Sequence, residues 1–136
     1  MTRLTLAAAF LLPFAVLLAT MHPGYPPDDS PETIAACANL GIQHMPGYPA
    51  VTLPGRLAVA LPVGAPSLRV NVLAAALGGG CAAACAATVM AIAPGPGAPV
   101  AGMLAGWMLA LSDPAWRDGG CAKGAVYLLN LLCILL

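Results

Sequence analysis

The chain has 136 residues, of which 60% are hydrophobic and 7% charged, with five basic and five acidic side chains and no formal net charge. A soluble domain carries about 25% charged residues, so this composition excludes an ordinary water-soluble globule, and the apolar content excludes a disordered chain. The neutral charge and the scarcity of aromatic residues exclude a nucleic-acid-binding protein. We therefore predict an all-α integral membrane protein, or a piece of one, with the lipid bilayer as its main partner.

Three stretches without Asp, Glu, Lys or Arg divide the chain, at 4–27, 70–112 and 124–136. A transmembrane helix needs about 20 mainly apolar residues. The middle stretch is long enough for two, and a Pro/Gly-rich turn at 94–99 breaks it, because Pro cannot continue a helix. We predict about three to four spans, arranged as a first transmembrane helix at 1–21, a loop with short helices at 22–69, a second transmembrane helix at 70–93, a Pro/Gly turn and third apolar helix at 94–112, a polar loop at 113–123 and the start of a fourth apolar helix at 124–136.

The two ends of the chain carry further signals. Segment 1–21 begins with a basic residue and continues apolar, which fits a signal peptide or an uncleaved anchor. Met21 stands where signal cleavage needs a small residue, so an uncleaved anchor is favoured. Segment 124–136 lacks the closing anchor that flanks most spans. We expect the N-terminal piece of a longer protein, the alternative being a small protein whose last helix ends in the bilayer.

Small residues are abundant in the predicted spans. Cys81 and Cys85 share one helix face among alanines, which favours buried apolar thiols over a metal site. Gly102 and Gly106 have the spacing that lets two helices approach closely in lipid.

The polar loop at 22–69 holds the candidate chemistry, beginning with Asp28, Asp29 and Glu32. One interpretation is capping: Ser30 as N-cap, Pro31 at the first helical position and Glu32 near the positive end of the helix dipole. Gly41 then ends this helix. The other interpretation is a site, since polar groups clustered at a membrane surface often mark one.

A rigid turn with a His and an aromatic residue follows that helix, H-M-P-G-Y-P at 44–49. Carboxylates on a helix beside His44 and Tyr48 are suited to a divalent cation, a phosphate or a sugar, although a lone His in a loop is more often structural. The residues leave the metal requirement open.

Six motifs keep a common order along the chain: D-S-P-E at 29–32, L-G-I-Q-H-M-P-G-Y-P at 40–49, L-A-V-A-L-P at 57–62, L-R-V-N-V-L-A-A-A-L at 68–77, S-D-P-A-W at 112–116 and V-Y-L-L-N at 126–130. This ordered set resembles the bacterial domain of unknown function 2723 family, which is related to the protein O-mannosyltransferases. The chain departs from the family pattern at Pro31, where the family has Gly, at Met45, where it has Pro, and at Ala125, where it has Glu.

The resemblance implies a multi-pass membrane glycosyltransferase with a GT-C-like N-terminal part and a polyprenyl-phosphate sugar donor, transferring the sugar to a protein or other acceptor. A piece of this length would be inactive alone. Asp29 is the first candidate for the catalytic carboxylate and Glu32 the second, either as a base or as a ligand of a divalent cation. His44 and Tyr48 would contact the sugar or phosphate. Arg69 would meet the lipid phosphate, or it is an interfacial arginine that snorkels to the membrane surface.

The resemblance implies a multi-pass protein of the cell membrane. The family topology places its first loop outside the cytoplasm. The positive-inside rule opposes this orientation, since the N-terminus has Arg3 alone and the two loops carry Arg56, Arg69, Arg117 and Lys123.

Two alternatives to an enzyme remain open. One is a small non-enzymatic membrane protein, holin-like or an assembly subunit, which would tolerate Asp29→Asn together with Glu32→Gln. The other is a module anchored or secreted after cleavage near His22.

Overall fold

A computed structural model describes residues 2–136. Within them the chain forms seven α-helices and no strand, which confirms the all-α prediction. The helices are α1 (Thr2–Thr20), α2 (Ser30–Asn39), α3 (Pro49–Val59), α4 (Pro66–Ile92), α5 (Ala98–Ala110), α6 (Asp113–Gly119) and α7 (Gly124–Leu135).

Two helices, α1 and α4, are long and apolar enough to cross a membrane by length and composition. The helices α5 and α7 are apolar but shorter. At 1.5 Å per residue, the 13 residues of α5 reach only about 20 Å of a hydrocarbon core that is roughly 30 Å thick.

Helix α4 is the centre of the fold, and its small residues let α5 lie close against it. A Cβ atom built on Gly102 would lie 2.7 Å from the carbonyl oxygen of Ala86, and one on Gly106 would overlap the carbonyl oxygen of Ala82. No residue larger than Gly fits at these positions with the backbones where they are. The predicted close approach at Gly102 and Gly106 is confirmed. Cys81 is buried, as predicted, and Cys85 is half-buried.

Helix α1 packs on the same central helix. Gly79 lies so close to α1 that an added Cβ would be 3.0 Å from the carbonyl oxygen of Phe10. The indole N–H of Trp107 on α5 donates a hydrogen bond to the carbonyl oxygen of Ala8, at 3.2 Å. This bond satisfies a polar group that would otherwise be costly to bury.

The two polar loops meet at one end of the helix bundle. The backbone N–H of His22 donates to the carbonyl oxygen of Gly120, at 2.9 Å, and the N–H of Lys123 donates to the Ser30 hydroxyl oxygen, at 3.2 Å. The buried Asn71 amide on α4 donates to the carbonyl oxygens of His22 and Gly24, at 2.8 and 3.0 Å. Residues from both loops are thereby held side by side.

Local capping differs from the sequence prediction at both ends of α2. Asp29 is the N-cap and Ser30 is the first helical residue. The Ser30 hydroxyl accepts a hydrogen bond from the N–H of Lys123 instead of capping its own helix. The helix ends at Leu40 in the left-handed conformation, with a φ of 51°, and not at Gly41. The predicted polar loop at 113–123 also contains a helix, the short α6.

The close packing of α4 and α5 yields a first prediction. Gly106→Ala places a methyl group against the Ala82 carbonyl oxygen, so the helices must separate, at a cost of about 1–3 kcal/mol. We expect a lower thermal unfolding midpoint, measured as the temperature at which half of the helical circular dichroism signal is lost. Gly97→Ala is the matched control, since an added Cβ there meets nothing within 4 Å. Equal midpoints for the two variants would contradict the packing.

Candidate functional site

The first turn of α2 lies against the turn at 44–48 and is fixed there by two bonds between Glu32 and His44. The backbone N–H of His44 donates to Glu32 Oε1, at 2.6 Å, and the His44 ring Nδ1 lies 2.6 Å from Glu32 Oε2. Both carboxylate oxygens of Glu32 therefore have partners. The hydrogen bond from the His44 ring, followed by that from its backbone N–H, lowers the pKa of Glu32 below its ordinary value of 4.5.

Asp29 lies beside this pair and faces two nitrogen atoms. Its Oδ2 is 3.7 Å from His44 Nε2 and 3.6 Å from Lys123 Nζ. The Asp29 side chain is 53% exposed, so one carboxylate of the cluster stays accessible from solvent. It is also the N-cap residue of α2.

Lys123 is the residue of this cluster that the sequence analysis did not assign to the site. Its side chain is only 8% exposed, and its ammonium group lies 3.4 Å from His44 Nε2 and 4.5 Å from the centre of the Tyr48 ring. A buried ammonium needs such compensation. The sequence held one sign of this role: Lys123 is a single cation directly before an apolar stretch.

Tyr48 connects the cluster to α3. It is the N-cap residue of α3 and adopts a left-handed backbone conformation with a φ of 47°. Its ring meets the His44 ring edge to face, with centroids 6.0 Å apart. The Tyr48 ring therefore contacts both the Lys123 ammonium and the His44 ring.

Buried polar side chains between α2 and α3 support this arrangement from behind. The Thr33 hydroxyl lies 2.9 Å from Gln43 Oε1, and Gln43 Nε2 donates to the Thr52 hydroxyl, at 3.3 Å. All three residues are buried. An unpaired polar group is costly when it is buried. These hydrogen bonds therefore hold Gln43, and the turn that carries His44, against α2 and α3.

Arg69 lies in a different environment from the other predicted site residues. Its Nε donates to the carbonyl oxygen of Val63, at 2.5 Å, and its Nη2 to that of Gly64, at 2.6 Å. Its Nη1 also donates to the carbonyl oxygen of Val59. The structure thus brings Asp29, Glu32, His44 and Tyr48 together. It places Arg69 elsewhere, where its guanidinium bonds to backbone carbonyl groups in the turn between α3 and α4. Its role in binding a phosphate stays a prediction.

Asp29, Glu32 and His44 each offer a ligand atom, and the three atoms lie within 4.8 Å of one another. The mixed oxygen and nitrogen set is chemically suited to a transition-metal ion. However, His44 already bonds to both oxygens of Glu32, and the Lys123 ammonium lies at the Asp29 carboxylate. A cation would have to displace these partners, so the arrangement does not fit a resident metal.

A cleft of about 430 Å³ opens at the Asp29 and Lys123 pair. Asp28, Ser30, Asp118 and Tyr127 are among the other residues that line it. Burial raises the pKa of Asp118 above its ordinary value of 3.8. The cleft combines an ammonium, which can bind a phosphate, with carboxylates and a phenol, which can bind hydroxyls.

Residues 29–136 match the family model described as the Protein O-mannosyl-transferase TMEM260 N-terminal domain. The chain belongs to this family. It is also 34% identical over 128 residues to the mouse protein named Protein O-mannosyl-transferase TMEM260, an alignment that covers 93% of this chain and 18% of that protein. No solved structure matches the chain.

The match confirms the O-mannosyltransferase-like relationship expected from the ordered motifs. The name domain of unknown function 2723 stays a prediction. Asp29, Glu32, His44, Tyr48 and Lys123 all lie within the part of the chain matched by the TMEM260 N-terminal domain family. The chain spans less than a fifth of the mouse relative's length, 18%.

The Glu32–His44 pair makes stability depend on pH. Since the pKa of Glu32 is lowered in the folded protein, the ionised carboxylate stabilises the fold at pH values above its ordinary pKa. This contribution is lost as the pH falls through the lowered value. We therefore expect Glu32→Gln to unfold more easily than wild type near neutral pH, and this difference to shrink in acid. Thermal unfolding of both proteins between about pH 7 and pH 3 would measure it. If the difference in unfolding midpoint between wild type and Glu32→Gln is constant over this range, the stabilising role of the Glu32–His44 pair is contradicted.

Proposed function

We propose that the chain is the N-terminal part of a membrane glycosyltransferase that moves a sugar from a lipid-phosphate donor to a hydroxyl group of a protein or other acceptor. The observation that carries the proposal is the accessible Asp29 carboxylate beside a buried ammonium, at the first position of the family match. The relative's name supports mannose as the sugar and an O-linked product.

The proposed reaction needs one base at the acceptor. The acceptor hydroxyl oxygen attacks the anomeric carbon of the sugar, and the bond from that carbon to the phosphate oxygen breaks. Its electron pair leaves on the lipid phosphate, while the hydroxyl proton passes to Asp29. General-base work of this kind requires a carboxylate within hydrogen-bond reach of the attacking hydroxyl, and among the carboxylates of this cluster Asp29 offers the more accessible one.

The neighbouring residues have distinct parts in this proposal. Lys123 offsets the negative charge that gathers on the departing phosphate, since a fixed cation in a partly dry site acts strongly on developing charge. His44 and Tyr48 contact the sugar or phosphate and hold Lys123. Glu32, which has both oxygens bonded to His44, is a positioning residue in this scheme and a weaker candidate for the base.

The proposal places the cluster at the outer surface of the cell membrane. The helices α1 and α4 would span the bilayer, and α5 and α7 would be shorter spans of a multi-pass protein. Because both polar loops meet at one end of the bundle, they share one side of the membrane. A reporter enzyme fused after Gly55 tests the side. Activity of the reporter in the cytoplasm would contradict the proposed donor side.

Transfer itself is tested in membranes that contain the chain, alone and together with the coding sequence that follows it in its gene. The donor is polyprenyl-phosphate mannose and the acceptor is a threonine-containing peptide. We expect transfer by the longer protein and none by the 136-residue chain. An absence of transfer in both would contradict the proposal and favour the small non-enzymatic membrane protein. That alternative draws on Ala125, which is fully buried where the family resembled in sequence carries Glu.

A further inference from the structure

A second cleft, of about 580 Å³, lies next to the Asp29 cleft. The two clefts share Pro27, Asp28 and Cys121 in their linings, so they adjoin at these residues. The size lies within the range of about 300–1,000 Å³ typical of ligand pockets. A molecule that extends past Asp28 from the second cleft would therefore come near Asp29, which lines the other cleft.

The second cleft has a preorganised aromatic side chain in Trp116. The indole N–H donates to the Thr20 hydroxyl oxygen, at 2.8 Å, which ties the ring to the end of α1. The side chain is nonetheless exposed, at 45%. Met21, Pro23 and Pro26 also line the cleft. An apolar lining with a fixed aromatic ring and charged neighbours is typical of a surface that binds polypeptide.

The second cleft offers one carboxylate without an ion-pair partner. Asp113 and Arg117 neutralise each other through an ion pair at 3.0 Å. Asp28 also lines the cleft, and within residues 2–136 it takes part in none of the ion pairs, which all involve other carboxylates. This carboxylate attracts a basic side chain. The cation that suits the donor, Lys123, lies in the other cleft.

We propose that this second cleft binds the acceptor polypeptide as an extended segment, with a basic side chain at Asp28 and a serine or threonine hydroxyl at Asp29. The inference rests on the proposed function and names the acceptor side of the site. Asp28 and Asp29 are neighbours in the chain, and Asp28 lines both clefts. A basic residue near the acceptor serine or threonine would therefore meet Asp28 while the hydroxyl meets Asp29.

The test uses the fluorescence of Trp116 in the full chain. The chain has two tryptophans, so Trp107→Phe leaves Trp116 as the single reporter. The probe is a short capped peptide with a central threonine flanked by lysines. We expect a saturable change in emission, and a two- to fivefold weaker affinity in Asp28→Asn, corresponding to an exposed ion pair of about 0.4–1 kcal/mol. Asn tolerates the left-handed backbone of Asp28, with a φ of 64°, so the variant keeps the fold.

The matched peptide with glutamates in place of the lysines should bind more weakly to wild type, and Arg56→Gln should bind the lysine peptide as wild type does. Equal affinity of the two peptides, no binding of either, or an unchanged affinity in Asp28→Asn would overturn the inference. A saturable response to mannobiose alone would also overturn it and indicate a glycan site. Asp29→Asn should retain peptide binding while losing transfer. Peptide binding at the cleft, combined with an absence of transfer by the longer wild-type protein, would count against the proposed function alone.

Discussion

Asp29→Asn is expected to lower the transfer of mannose by about 10²–10⁴-fold, the usual contribution of a positioned general base. The amide has nearly the shape of the carboxylate but cannot accept the proton of the attacking hydroxyl. It also leaves the buried Lys123 ammonium, which lies 3.6 Å from the Asp29 carboxylate, without its anionic partner. The rate is measured at saturating donor and acceptor, in membranes that contain the longer protein.

Two further variants show whether the loss belongs to Asp29. Arg56→Gln removes one charge from the same loop at a side chain that donates to the Ala38 carbonyl oxygen, outside the cluster, and should transfer at the wild-type rate. Glu32→Gln should lose less activity than Asp29→Asn, because Glu32 acts through His44. Wild-type transfer in Asp29→Asn would remove Asp29 from the mechanism. A larger loss in Glu32→Gln would exchange the two roles.

Gly124→Ala is expected to destabilise the chain by about 3 kcal/mol, near the upper end of the cost of overpacking. A Cβ on Gly124 would overlap the backbone of Asp118, including its carbonyl oxygen and Cα. Backbone atoms cannot turn away as the end of a flexible side chain can, so α6 and α7 must move apart. Since Lys123 directly precedes Gly124, this movement also withdraws the ammonium from Asp29 and Tyr48, and we expect transfer to fall with stability.

The thermal unfolding midpoint and the transfer rate of Gly124→Ala are compared with those of Gly24→Ala. Gly24 lies in the loop at the same end of the bundle, and an added Cβ there meets nothing within 4 Å. This control should keep both quantities near wild type. A Gly124→Ala protein with the wild-type midpoint would contradict the close contact between Gly124 and the Asp118 backbone.

The apolar pattern determines most of the secondary structure of this protein. The helices α1, α4, α5 and α7 lie mainly in the stretches without charged residues. The turn rich in Pro and Gly separates α4 from α5, because Pro cannot continue a helix. The spacing of Gly102 and Gly106 also predicted the close helix pair, since contact faces on a helix follow from its period. Asp29, Glu32, His44 and Tyr48 are close in sequence, and their grouping could be expected from one loop.

The tertiary structure decided what the local pattern leaves open. Lys123 reaches the Asp29 carboxylate because α7 packs on α4 and the backbone N–H of Lys123, the N-cap residue of α7, donates to the Ser30 hydroxyl. This contact joins distant parts of the chain and has no periodic signal. The same bond occupies the Ser30 hydroxyl, which was expected to cap α2. Arg69, which is adjacent to a predicted span, bonds to the carbonyl oxygens of its own turn. Composition and periodicity therefore determine where helices form, while the packing between helices determines which charges share a site.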